Sequence, residues 1–140
     1  MTDNNTVTSP PDIIRWSPRS DGHGDCSIAA ISMACGVTYE IALSAALGVA
    51  LNPLEGMTAP KICAAIRLLG FKVKLRKKFD LTEDSGILWV YNGPNDHVVY
   101  LWEGRVIEPE NYRRQMWLSS EDYLKHYRYT AACLITVSDL

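Results

Sequence analysis

Cys26, His97 and Glu108 have the residue types that thiol chemistry requires. Cys26 stands in DGHGDCSIAAIS at 21–32, where a polar, glycine-rich loop gives way abruptly to an apolar run. A thiol becomes an effective nucleophile when its thiolate is stabilised, and both the amino end of a helix and a neighbouring imidazole do this. A helix start also leaves backbone N–H groups without intrahelical partners, so the Cys26 amide is a natural donor to the oxyanion formed when sulfur attacks a carbonyl. Cys35, Cys63 and Cys133 each lie inside an apolar run and read as small buried residues.

The base must come from elsewhere in the chain, and there are three histidines. His126 falls in a short polar helix, where a solvated face is expected, and His23 lies in a glycine-flanked loop beside Cys26. His97 opens HVVYLW directly after the turn GPND, and a ring at a strand end can be held rigidly while its edge reaches a cleft. If Glu103-Gly104 is a two-residue turn, Trp102 pairs with Arg105, Tyr100 with Ile107, Val99 with Glu108 and His97 with Glu110. His97 and Glu108 then share a sheet face as diagonal neighbours about 7–8 Å apart, within reach of a long acidic side chain. Glu108 is thus the candidate to orient the imidazole, with Glu110 and Asn111 as fallbacks should the register differ.

The elements that must place these residues follow from the hydrophobic pattern. SIAAISMAC at 27–35 is apolar nearly all round and reads as a core helix ended by Gly36. Thr38 caps a second helix through Ile41, Leu43, Ala46 and Leu47, and Thr58 a third through Ile62, Ala65, Ile66 and Leu69. The period then changes. FKVKLRKK alternates, ILWVY is a continuous β-rich run, HVVYLWEGRVIEPE reads as a hairpin, and TAACLITV closes the chain as a strand after a short helix capped by Ser119 or Ser120. NYRRQMW, with Arg113 and Arg114, reads as a solvated loop. The expectation is an α+β domain, helices packed against one side of an antiparallel sheet, spanning 12–140 behind a flexible leader at 1–11.

Composition narrows the function classes. With a net charge of -2 and no basic run longer than LRKK, neither nucleic acid nor an anionic membrane is an expected partner. Residues 1–12 carry no signal-peptide pattern and no apolar run reaches spanning length, so a cytoplasmic protein with reduced cysteines is expected. His23 and Cys26 have His-x2-Cys spacing but no second close pair exists, so neither a closed zinc site nor a cofactor is expected.

The run DCSIAAISMACGVTYEIAL, a helix ending in glycine, a strand, and HVVYLWEGRVIEPE together resemble the papain-like cysteine peptidases. The likeness is strongest to the bacteriocin double-glycine leader peptidase group and its small stand-alone relatives, and covers most of 25–109. In that family an Asp-Cys pair begins the central helix, a His begins a strand as His-x-Val-Val, and an acidic residue precedes a proline on the next strand. The matching positions are Asp25-Cys26, His97-Val98-Val99 and Glu108-Pro109. The resemblance implies a papain-like fold, a Cys26 nucleophile, a His97 base, a Glu108 orienting acid and a peptide or protein substrate with small residues before the scissile bond. Asp-Gly-x-Cys in ovarian-tumour-type deubiquitinases is a looser likeness, since the order here is GHGDC.

The chain departs from the family pattern at three places. Ser27 follows the cysteine in place of glycine, and Glu108 precedes the proline in place of aspartate. Ser20 stands six residues before Cys26, where relatives place an oxyanion glutamine. Losing one oxyanion donor costs roughly 10²–10³ in rate unless Ser20, His23 or a backbone amide replaces it, and Asp25 is a further auxiliary candidate. Two other functions therefore stand beside peptide hydrolysis. One is a catalytically weak module that binds a peptide or partner protein in the same cleft; the other is acyl transfer to an amine.

Overall fold

The computed structural model describes residues 25–108 and 115–139. The element order is α1 (Cys26–Cys35), α2 (Tyr39–Leu47), a 3-10 turn (Pro53–Glu55), α3 (Ala59–Leu68), β1 (Lys72–Arg76), β2 (Gly86–Asn92), β3 (Asn95–Trp102), β4 (Arg105–Glu108), β5 (Gln115–Trp117), α4 (Ser120–Tyr127) and β6 (Thr130–Ser138). The fold class is α+β, as the sequence pattern indicates.

α2, α3 and α4 each begin where a side-chain oxygen can satisfy a first-turn amide. Thr38 accepts from the Ile41 amide at 3.2 Å, Thr58 from Lys61 at 3.4 Å and Ser119 from Asp122 at 3.2 Å. Gly36 ends α1 in the left-handed conformation, its amide donating to the Ser32 carbonyl at 2.9 Å. α1 is buried on nearly every side, as expected of a helix without a polar face. The buried face of α2 differs from the expected one. Ala42, Ala45 and Ala46 are buried, whereas Ile41 and Leu47 are 48% and 57% exposed, because small side chains let α2 approach α1 closely.

The six strands form one antiparallel sheet in the order β1-β6-β2-β3-β4-β5. The last strand of the chain is inserted between the first two, so β6 is an interior strand and β2 and β3 form the centre of the sheet. Gly86, at the start of β2, makes this possible: a Cβ there would lie 2.5 Å from the Ile135 carbonyl oxygen. The β3–β4 hairpin has the anticipated register, with Trp102 opposite Arg105 and Tyr100 opposite Ile107. Glu103 (φ 48°) and Gly104 (φ 85°) both occupy positive φ, the backbone of a tight hairpin turn.

Three features differ from the sequence expectation. β3 begins at Asn95, two residues before His97, because Asn92 pairs with Asn95 across a turn limited to Gly93 and Pro94. The end of NYRRQMW forms the short edge strand β5, too brief for alternation to reveal it, while Arg113 and Arg114 lie outside the described residues. Helices cover both sheet faces, not one. Ile87, Val98 and Ile135 pack into the core of α1, α2 and α3, whereas their strand neighbours Leu88, Val99 and Leu134 face the opposite way and pack with Tyr123 of α4. Among the described residues no single helix is long and apolar enough to cross a membrane.

Candidate active site

Cys26 is the first residue of α1, half-buried and packed against the α1–α3 core. Its amide is therefore among the first-turn N–H groups that lack an intrahelical acceptor. The Asp25 side chain does not cap them. Asp25 is instead 3% exposed and turned toward α2, where its Oδ2 accepts from the Tyr39 hydroxyl at 3.4 Å. It braces the start of α1 and does not line the cleft beside Cys26.

His97 lies on β3 with the strand parity of Val99 and Leu101, on the α4 side of the sheet. Its ring stacks on Tyr129 with centroids 6.2 Å apart, and its Nε2 is 2.6 Å from Glu108 Oε1. The two side chains are each 9% exposed, so the contact is a shielded ion pair whenever His97 carries its proton. His97 and Cys26 line the same cleft. Cys26 belongs to the helical layer on the other sheet face, so the cleft lies where the two layers meet.

The charge state of His97 is set by opposing effects. Burial disfavours the imidazolium, but the hydrogen bonds and charges of Cys26 and Glu108 outweigh it, and the ring titrates well above the usual histidine range. Glu108 is 7% exposed, and its second oxygen, Oε2, accepts from the Tyr123 hydroxyl at 2.7 Å. Tyr123 is fully buried, and burial followed by the adjacent Glu108 charge pushes its phenol far above the usual range.

The other three thiols are more deeply buried than Cys26. Cys35 is buried and its thiol is pushed up to about 11 by desolvation. Burial also raises Cys63, against a lowering contribution from Arg67, and raises Cys133. All four cysteines are free.

A cleft of about 330 Å³ opens over Cys26 and His97. Its walls come from Ser27, the 55–58 segment that links the 3-10 turn to α3, and Trp89, Asp96 and Val98 of β2 and β3. Met57 is buried in the wall, whereas Glu55 and Asp96 are exposed at it. The sequence shows the 55–58 segment only as a turn, and nothing local assigns it to the cleft.

Cys26, His97 and Glu108 are thus brought together, and Asp25 is adjacent but directed elsewhere. Ser20, His23, Glu110 and Asn111 lie outside the described residues. Tyr123 and Tyr129 were not singled out by sequence reasoning, because their approach to the pair depends on α4 covering the second sheet face. Among the described residues no three His, Cys, Asp or Glu side chains converge in a metal-binding group. No protein-family model, curated protein or solved structure matches the chain.

Proposed function

We propose that this protein is a papain-like thiol hydrolase acting on a peptide or isopeptide bond through an acyl-enzyme on Cys26. The observation that carries the proposal is that Cys26 and His97 line one cleft while His97 Nε2 stands 2.6 Å from the buried Glu108 carboxylate. An imidazolium is stable in this shielded position when it has negative partners on both sides. Glu108 is one, and the Cys26 sulfur, as thiolate, is the other.

The chemistry follows from that arrangement. The Cys26 sulfur attacks the carbonyl carbon, and the oxyanion is held by the free amides at the start of α1. The C–N bond breaks as His97 gives its proton to the leaving amine, leaving a thioester on Cys26. Water then enters, gives a proton to His97 and its oxygen to the carbonyl carbon, and the acid departs as the thiolate re-forms. Trp89 and Met57 offer apolar wall to a substrate side chain, while Glu55 and Asp96 disfavour acidic residues in it.

Acylation by p-nitrophenyl acetate tests the proposal without knowledge of the natural substrate. A burst of nitrophenolate, with one acetyl group located on Cys26 by mass spectrometry and none in Cys26→Ala, is the expected result. Absence of acetyl-Cys26 contradicts hydrolase chemistry and leaves the cleft as a binding site. Added primary amine separates hydrolysis from acyl transfer, since only transfer gives a stoichiometric amide product.

A further inference from the structure

We propose that Tyr123 is a positioning residue that fixes the Glu108 carboxylate against His97, a role that rests on the thiol hydrolase reading. Both carboxylate oxygens are engaged on the same buried face: Oε1 by His97 Nε2 at 2.6 Å and Oε2 by the Tyr123 hydroxyl at 2.7 Å. A carboxylate held at one oxygen can rotate about its terminal bond, a motion that is broad and weakly restrained. Held at both, it presents Oε1 to the imidazole in one orientation.

The phenol is itself immobilised. Tyr123 packs at 5.9 Å from the Tyr129 ring, which in turn stacks on His97, and its other side meets Trp117 at 5.8 Å. α4 is tied to the hairpin that carries Glu108, because the Ser120 amide donates to the Gly104 carbonyl at 2.8 Å. The Ser120 hydroxyl donates to the Leu81 carbonyl at 2.9 Å, which fixes the same helix start to the loop before β2. His97 from β3 and Tyr123 from α4 thus hold the carboxylate, and Tyr129, just before β6, packs against both of their rings, with Cys26 beside His97 in the cleft and Tyr127 beyond Tyr129.

A buried phenol normally needs only some acceptor for its hydroxyl, and a backbone carbonyl would serve. Here the acceptor is the acid that orients the imidazole. The donor is also constant, since a phenol raised so far above its ordinary range stays protonated wherever the protein is folded. Removing the hydroxyl leaves Oε2 without this donor, so Glu108 takes up a proton more readily and His97 loses its charged partner at a higher pH.

The test is the pH profile of Cys26 alkylation by iodoacetamide in wild type, Tyr123→Phe and Tyr127→Phe, the last altering the same aromatic cluster at a half-exposed ring. Tyr123→Phe is expected to slow Cys26 alkylation about tenfold near neutral pH and to move the acidic arm of the profile upward by about one pH unit. Tyr127→Phe is expected to retain the wild-type profile. In a Glu108→Gln background the Tyr123→Phe effect should disappear, because the tyrosine acts through that carboxylate. A Tyr123→Phe profile equal to that of a wild type with selectively reactive Cys26 overturns the positioning role alone. A wild type whose Cys26 is no more reactive than an ordinary thiol overturns the hydrolase reading and this role with it. Should Tyr123→Phe fail to fold, exchange of the hydroxyl proton in wild type decides: a slow, downfield Tyr123 resonance that shifts in Glu108→Gln supports the role, and a rapidly exchanging one contradicts it.

Discussion

His97 Nε2 and Glu108 Oε1 stand 2.6 Å apart on adjacent strands of one hairpin, both nearly withdrawn from solvent. The pair exists because a two-residue turn fixes the register of β3 and β4, and because α4 covers the face on which both side chains lie. In the proposed chemistry Glu108 balances the imidazolium charge and holds Nε2 in place.

Replacing Glu108 separates charge from shape. Glu108→Gln keeps the volume and hydrogen-bonding capacity but removes the charge, and is expected to lower the Cys26 acylation rate by about 10²-fold. Glu108→Ala also leaves His97 and the Tyr123 hydroxyl without their buried partner, and is expected to destabilise the fold by at least about 2 kcal/mol. Urea titration beside burst kinetics checks both, and a Glu108→Gln variant with wild-type acylation contradicts the assigned role.

The raised His97 titration carries a stability signature. A histidine that gains partners on folding contributes stability that is full below its unfolded value, about 6.5, and disappears as pH rises through the higher folded value. The urea midpoint of the wild type should therefore fall as pH is raised from near 6.5 through the mildly alkaline range, and the fall should be smaller in His97→Gln. Acylation and turnover should follow a related course, failing on the alkaline side as the imidazolium that protonates the leaving amine is lost. Equal pH dependence in the two proteins contradicts a raised His97.

The hairpin turn is a remote test of the site. Gly104 sits at φ 85°, and a Cβ there would stand 3.0 Å from the Thr82 carbonyl oxygen. Gly104→Ala is expected to cost about 1–2 kcal/mol from backbone conformation alone, with a further penalty from the contact with Thr82. It should also reduce acylation in the folded fraction, since the same turn sets where Glu108 meets His97. Chemical denaturation and active-site titration at equal folded concentration separate the two effects.

Much of this arrangement is legible in the sequence, and the remainder is not for identifiable reasons. Thr38, Thr58 and the Cys26 helix start follow from local chemistry, and the Glu103-Gly104 turn fixes the relation of His97 to Glu108 because alternation leaves few registers open. Tyr123 is invisible at that level. It reaches Glu108 only because α4 crosses to the second sheet face and β6 is inserted between β1 and β2, and both are long-range outcomes with no local signal. The cleft is hidden for the same reason, since 55–58 is far in sequence from Trp89 and Asp96.

Cleft charge gives a prediction about substrates. Among the described residues, Glu55 and Asp96 are the acidic groups in its lining. Peptides with a basic residue beside the scissile bond should acylate Cys26 about five- to tenfold faster than their acidic counterparts at low salt, with the ratio shrinking as salt screens the field. Glu55→Gln combined with Asp96→Asn should bring the two substrates close together. A preference that survives both substitutions and high salt would assign specificity elsewhere.

The most direct measurement is the rate of iodoacetamide alkylation at each of Cys26, Cys35, Cys63 and Cys133, followed by mass spectrometry across pH in wild type and His97→Ala. Burial raises the other three thiols, so in the folded protein they should remain slow until the pH is strongly alkaline. Cys26 is expected to react at least tenfold faster than an ordinary thiol below neutral pH, and to lose that advantage in His97→Ala. Cys26 alkylation that matches an ordinary thiol in wild type, or that is unchanged without His97, would contradict the thiolate–imidazolium pair and with it the hydrolase.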